Sequence, residues 1–202
     1  MPQVSVVNYG VGNLRSIKRG LEKLGAKALI TRNPKDLSQS DAIVLPGVGA
    51  FAEAVKNLAP ISGVVMKAAE DGKPLFGICL GLQLLFTQSS EGGSIDGLNL
   101  ISGDIVKLPD GVKNPQMGWN TIDIVKSHPL LEGIQNHSYV YFVHTYVPQP
   151  SEHKVIVATT EYGVRFPSVI AEQNLFATQF HPEKSGKTGL IILKNFAKIV
   201  KR

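Results

Sequence analysis

The single cysteine of the 202-residue chain, Cys79, sits between Gly77 and Gly81 in the stretch PLFGICLGLQLLF, residues 74–86. A strand-like apolar run ends at Ile78 and a helical pattern begins near Leu80, so residue 79 is expected at a strand-to-helix turn. The glycines remove side chains that would collide across so tight a turn. That is the logic of the G-x-S-x-G nucleophile elbow, with sulfur in place of oxygen. Such a turn is expected to lift the thiol into the open. Free N–H groups at the start of the following helix favour negative charge on the sulfur, and the Leu80 N–H is positioned to stabilise an oxyanion. A free cysteine is most often a buried small hydrophobe, but a core filler has no need of two flanking glycines.

A thiol nucleophile needs a base, and the chain has five histidines. His128 and His153 lie in polar, turn-like surroundings. His137 and His144 flank the strand-like SYVYFVHTY, where structural or substrate-contacting roles suit them as well as catalysis does. His181 differs, because it follows LFATQF within QFHPEKS and Pro182 biases it towards extended backbone. In an extended segment residues i and i+2 project to one side. Glu183 would then accept the proton of one ring nitrogen and leave the other for the thiol, the base-plus-orienter arrangement of a triad. An exposed His-Pro-Glu turn with no chemistry is the alternative. Both Cys79 and His181 fall at the carboxyl ends of expected strands, where α/β sheets build their sites. LPGVGAF (45–51) ends a third strand, and its glycines let the loop around Val48 and Gly49 expose N–H groups as a candidate oxyanion loop.

Other motifs fall short. NYGVGNLRS (8–16) has Gly10 and Gly12, but Arg15 stands where a dinucleotide-binding loop needs its third glycine. SGKTG (185–189) lacks the upstream glycine of a phosphate loop. No histidine, cysteine or carboxylate cluster has metal-ligand spacing, so no metal and no cofactor are expected.

These residues must be held by a framework, and the chain is long enough for one. Hydrophobic residues make up 43% and charged residues 18%, a globular balance. The formal charge of +5 is scattered, its densest groups reading as polar faces of amphipathic helices. That disfavours nucleic acid and leaves a phosphorylated substrate or acidic protein surface as the partner for the excess charge. No apolar run is long enough for a bilayer span, and the N-terminus lacks the marks of a signal peptide. One cysteine permits no internal disulfide, which suits a cytoplasmic location.

The first ninety residues alternate in period. QVSVVNY (3–9), KALIT (27–31), DAIVLPG (41–47) and PLFGIC (74–79) read as strands. Leu14, Ile17, Leu21 and Leu24 form one helical face ended by Gly25, and FAEAVKNL and GVVMKAAEDG read as two further helical runs. The pattern implies an α/β fold with a mostly parallel central sheet covered by helices on both faces. Between about 98 and 180, short β-type runs (LISGDIVKL, NTIDIV, SYVYFVHTYV, KVIVATT, PSVIAEQ, LFATQF) suggest antiparallel strands added to that sheet, or a small sheet on its edge. GKTGLIILKNFAKIVK closes the chain as an amphipathic helix. With no linker or repeat, residues 1–202 are expected to form one domain.

GICLGLQLLF together with FHPEKS resembles the class I (triad) glutamine amidotransferases, with LPGVGAF resembling their oxyanion strand. NYGVGNLRSI, PQMGWNTI (115–122) and YFVHTYV resemble the branch of that family formed by the glutaminase subunits of imidazole glycerol phosphate synthases in histidine biosynthesis. The resemblance runs through essentially the whole chain. It implies Cys79 as nucleophile, His181 as base and acid, and Glu183 as its orienter. It also implies an oxyanion and substrate pocket of Val48, Gly49, Leu80, Gln83, His144 and Tyr146. Glutamine is the implied substrate, and the implied partner is a (β/α)8-barrel cyclase that forms a heterodimer and takes the ammonia. Asn13, Trp119, Asn120, Tyr141 and Lys184 are the expected partner-facing residues, with the PGVG loop as a coupling element. The alternatives are a glutaminase serving another synthase, a stand-alone γ-glutamyl cysteine hydrolase, and a silent binding module whose glycines only shape turns.

Overall fold

A computed structural model describes residues 1–201. The first half alternates strand and helix as the periodicity predicts. In chain order it forms β1 (Gln3–Val7), α1 (Leu14–Lys23), β2 (Lys27–Thr31), α2 (Pro34–Gln39), β3 (Ala42–Leu45), α3 (Phe51–Glu70), β4 (Leu75–Ile78) and α4 (Leu80–Leu84). The second half is mainly β: β5 (Phe86–Ser89), β6 (Ile95–Asp96), β7 (Ile101–Lys107), β8 (Gln116–Thr121), β9 (Asp123–Ile124), β10 (Tyr139–His144), β11 (Tyr146–Pro150), β12 (Ile156–Glu161), β13 (Arg165–Glu172) and β14 (Leu175–Thr178). The helix α5 (Gly186–Ile199) follows.

The main sheet runs β2-β1-β3-β4-β14-β13-β12-β9. Its first five strands are parallel neighbours, and β13, β12 and β9 continue it antiparallel. The two arrangements offered as alternatives for the second half occur together: the sheet is extended, and β11-β7-β5-β6 and β10-β8 form two smaller sheets. Strand alternation splits the core in two. Val4, Val6, Val44 and Phe76 pack with Ile17 and Leu21 of α1 and with Ile192, Leu193 and Phe196 of α5. Ile43, Leu45 and Leu75 pack with Leu37 of α2 and the buried stripe of α3. No helix among the described residues is long and apolar enough to cross a membrane.

Three local features depart from what the periodicity predicts. The two helical runs of 51–72 are one helix that continues through Pro60. Phe51, Ala54, Leu58, Ile61, Val65 and Ala68 are buried at spacings of three and four, and the exposed Pro60 lies off that stripe, so packing outweighs the lost hydrogen bond. SYVYFVHTYV is two strands in different sheets, broken at Thr145. The short helix α2 leaves no periodic signal, although Asn33 caps it by accepting a hydrogen bond from the Lys35 N–H.

Candidate active site

β4 ends against β14, and the Cys79 N–H donates to the Thr178 carbonyl at 2.8 Å. The chain then reverses at Cys79 itself, with φ 53° and ψ −106°, a conformation a non-glycine residue rarely adopts. Strain of this kind costs about 1–3 kcal/mol and persists only where the surroundings over-determine it. The flanking glycines do different jobs. A Cβ on Gly77 would lie 2.7 Å from the Gly81 carbonyl oxygen, across the turn. A Cβ on Gly81 would lie 1.9 Å from the Leu45 carbonyl oxygen, on the neighbouring strand β3. Gly81 therefore seats the elbow on the sheet, a role local reading did not assign.

The sulfur is not in the open: Cys79 is 4% exposed. It faces a pocket of about 240 Å³, roofed by Val143–Tyr146, where β10 gives way to β11. The turn projects the side chain as expected, but a segment over sixty residues downstream covers it. Clefts for drug-sized ligands run to ~300–1,000 Å³, so this one suits a single amino acid better than a nucleotide.

His181 arrives from the end of β14. The backbone after it is not extended but a 3₁₀ turn, Pro182–Lys184, because Pro182 starts the turn that feeds α5. The pairing with Glu183 forms all the same: His181 Nδ1 lies 2.9 Å from Glu183 Oε1, with both side chains 1% exposed. That fixes Nδ1 as the donor and leaves Nε2 for the sulfur. Burial alone lowers the His181 pKa. The charge of Cys79 and its hydrogen-bonding pull, followed by the hydrogen bond and charge of Glu183, outweigh it and raise the value to about 10. Nε2 has no hydrogen-bond partner in good alignment, so the sulfur is close without being aligned, as in many active sites before they tighten on substrate.

All six expected pocket residues, Val48, Gly49, Leu80, Gln83, His144 and Tyr146, line this pocket. Gly49, at φ 112°, holds the loop after β3 in a conformation other residues resist. Two further residues were missed by sequence reasoning. Glu91, also in the wall, accepts from the Phe51 N–H at the start of α3 at 3.2 Å and puts a carboxylate inside the pocket. Gln179 is fully buried and lies 3.6 Å from the sulfur through its amide nitrogen. Gln179 is legible as the residue two before His181, just past the end of the strand paired with β4. Glu91 left no local signal.

The Tyr146 carbonyl accepts from Gln83 Nε2 at 3.0 Å and from His144 Nδ1 at 3.1 Å. Burial drives the His144 pKa down to about 4, against the Tyr146 hydrogen bond and aided by the His181 charge. His144 is thus held neutral in the fold but titrates near 6.5 when unfolded. Its contribution to stability is complete above pH 6.5 and is lost as pH falls through about 4. A shift of this size amounts to at most about 3 kcal/mol. The half-buried His128, lowered by burial and then by Lys126, adds a smaller loss of the same sign. The raised His181 works in the opposite sense near pH 7, its contribution being fully present below pH 6.5. We therefore expect urea unfolding to show stability falling between about pH 6 and 4.5, and the fall to flatten in His144→Gln. An equally steep fall in that variant would assign the acid sensitivity elsewhere.

The partner-facing residues divide. Trp119 is 57% exposed and meets Tyr141 edge to face at 5.9 Å. The Lys184 ammonium lies 5.6 Å from the Tyr141 ring. Met117 and Tyr139, 64% exposed each, extend this apolar face of the β8–β10 ribbon. Asn120 does not join it. One residue on from Trp119 it faces the other way, its amide nitrogen donating to the Glu161 carbonyl at 3.0 Å. Asn13 is the half-buried N-cap of α1, without a side-chain cap bond. A larger hollow of about 720 Å³ lies between Ile124 and Ile134. Its lining holds Ser127 and His128 but no thiol, and the Nδ1 of His128 is taken up in accepting from the Leu130 N–H at 3.1 Å. The one cysteine faces the smaller pocket.

The model of the family described as glutamine amidotransferase class-I matches residues 5–200. The chain belongs to the class I glutamine amidotransferases. As a class I glutamine amidotransferase it is an enzyme, and its curated relatives narrow the likeness. It is 51% identical to imidazole glycerol phosphate synthase subunit HisH of Methanocaldococcus jannaschii, over 98% of this chain and 100% of that one. It is 50% identical to the HisH subunit of Natronomonas pharaonis, over 96% and 93%. Among solved structures, a glutamine amidotransferase aligns with TM-score 0.77 at 21% identity, covering 98% of this chain and 99% of that one. The structure of PurLQS from Thermotoga maritima aligns with TM-score 0.75 at 18% identity, covering 98% of both chains. At such identities these two speak for the fold alone, and they agree with the α/β architecture described above.

Proposed function

We propose that this class I glutamine amidotransferase is the glutaminase subunit of an imidazole glycerol phosphate synthase, acting as one catalytic domain in the cytoplasm. The observation that carries the reading is Cys79 facing a pocket of amino-acid size while its sulfur is near enough to the Glu183-paired His181 to raise the imidazole pKa. In this reading the Cys79 thiolate attacks the side-chain carbonyl carbon of glutamine. The developing oxyanion is met by the Leu80 N–H and by the loop of Val48 and Gly49. The His181 imidazolium protonates the departing amine, which leaves as ammonia, and a γ-glutamyl thioester remains. Neutral His181 then takes a proton from water as the water attacks the thioester, and glutamate departs as the thiolate re-forms. Glu183 keeps the imidazole in the tautomer both steps need. The Glu91 carboxylate suits the α-ammonium of glutamine, and the free oxygen of the Gln83 amide suits a donor on the substrate.

The ammonia goes to a (β/α)8-barrel cyclase seated on the Trp119–Tyr141–Lys184 face. A mechanical link supports that choice of face. Ser185 Oγ accepts from the Tyr141 N–H at 3.0 Å and donates to the His181 carbonyl at 2.6 Å, and the His181 N–H donates to the Tyr141 carbonyl at 2.9 Å. A partner pressing on Tyr141 therefore bears directly on the catalytic turn. The test is a glutaminase assay with and without the cyclase and its nucleotide ligand. Strong stimulation by both supports the reading. Full turnover by the isolated chain would instead favour a stand-alone γ-glutamyl hydrolase. Trp119→Ala removes an aromatic anchor worth about 2 kcal/mol, so calorimetric titration with the cyclase should show affinity about thirtyfold lower. Unchanged affinity would move the interface off this ribbon.

A further inference from the structure

We propose that Gln179 is a catalytic residue, a side-chain donor that holds the nucleophilic sulfur and ties it to the residue that grips the substrate. This rests on the reading of Cys79 as the nucleophile. The register of the parallel pair sets Thr178 opposite Ile78, so the residues that follow the two strands, Gln179 and Cys79, stand side by side. Gln179 is fully buried, and its Nε2 lies 3.6 Å from the Cys79 sulfur, within reach for a hydrogen bond to sulfur. Its Oε1 accepts from Gln83 Nε2 at 3.4 Å.

An amide can be turned end for end, so its orientation needs a physical argument. The Tyr146 carbonyl can only accept, which obliges Gln83 to present its nitrogen there. That same nitrogen faces Gln179, which must therefore answer with its oxygen. The Gln179 nitrogen is left for the sulfur. The order of acceptors and donors, from the Tyr146 carbonyl through Gln83 and Gln179 to Cys79, is forced from one end. A buried N–H aimed at sulfur is worth most when the sulfur carries charge, because charge-assisted hydrogen bonds are roughly twice as strong as neutral ones. Val143 offers the opposite contact, its carbonyl 3.7 Å from the sulfur, where a thiol proton can be donated. Gln179 and His181 thus favour the ionised nucleophile, while Val143 favours the resting thiol. The sulfur is held between the Gln179 amide and the Val143 carbonyl, which limits the directions from which it can attack.

Gln179→Glu isolates the donor. It keeps the size and the acceptor towards Gln83 but replaces the N–H by a carboxylate oxygen facing the sulfur. Gln179→Met removes both contacts without burying a charge. Each is assayed in complex with the cyclase, with co-purification and the thermal midpoint as controls for folding. A charge-assisted bond of about 1.5–3 kcal/mol corresponds to roughly 10- to 100-fold in rate. We expect the glutaminase kcat to fall by that factor in Gln179→Met and further in Gln179→Glu. Alkylation of Cys79 by iodoacetamide at pH 7 should slow by about tenfold and recover as pH is raised, shifting the pH profile by about one unit. A merely structural glutamine would lower the midpoint and leave that profile where it was. If Gln179→Glu fails to assemble, Gln179→Met decides. Superimposable alkylation profiles with kcat within about twofold of the native enzyme would overturn the proposal. If the native complex itself failed to hydrolyse glutamine, the reading of the site would fall first, an outcome distinct from these.

Discussion

Cys79→Ala is expected to abolish glutamine-dependent turnover while leaving synthesis from added ammonium intact. Removing the nucleophile of a triad costs on the order of 10⁶ in kcat in the best-studied case, which here means no measurable glutaminase. Little should happen to the fold. The side chain is small and 4% exposed, and it faces a pocket rather than tight packing on every side, so losing one sulfur atom leaves a modest cavity. Alanine must adopt the same φ of 53°, a strain the cysteine already bears. The measurement is paired: glutaminase by glutamate release, and product formation by the cyclase complex supplied with ammonium. Loss of glutamine use with ammonium use retained supports the nucleophile. Loss of both, with the complex no longer assembling, would make Cys79 a structural residue. Glutamine turnover surviving at even a hundredth of the native rate would remove it from the chemistry.

Gly81→Ala is expected to do the reverse, breaking the scaffold without touching a reactive atom. The added methyl would stand 1.9 Å from the Leu45 carbonyl oxygen and 2.7 Å from its carbonyl carbon. Both atoms are backbone of a central strand, so no rotamer change relieves the overlap. Either α4 lifts away, taking Leu80 and Gln83 with it, or β3 shifts between β1 and β4. Overpacking that moves backbone falls in the upper tail of single-site effects, on the order of 4 kcal/mol. For a chain of this length that is about 10 °C in the unfolding midpoint. Calorimetry or denaturant unfolding reads it directly. A midpoint within about 2 °C of native would mean that the elbow floats above β3 rather than resting on it. Set against Cys79→Ala, the comparison separates the glycine that seats the turn from the sulfur it carries.

Much of this site was legible locally, because it is built from short segments whose meaning is in their neighbours. A cysteine flanked by glycines where a strand pattern meets a helical one is an elbow for steric reasons alone. A histidine two residues from a glutamate reaches it whether the backbone is extended or, as found, turned. The parallel half of the sheet followed from the alternation of periods. Asn120 was less legible as an interface residue: strand alternation turns it away from Trp119 towards the Glu161 carbonyl. The boundary of β8 had to be known before that alternation could be applied.

What the amino-acid order determined by itself was the chemistry: one thiol, one imidazole–carboxylate pair, and a glycine-bearing loop, each at the end of a strand. Tertiary structure decided which of these meet and what encloses them. The Thr178–Ile78 register brings Gln179 beside Cys79, and the break at Thr145 folds Val143–Tyr146 over the sulfur. Glu91 enters the pocket by accepting from the Phe51 N–H at the start of α3, forty positions earlier in the chain. Contacts of that kind join residues far apart in sequence, and hydrogen bonding and burial assign them only once the sheet has brought their backbones together.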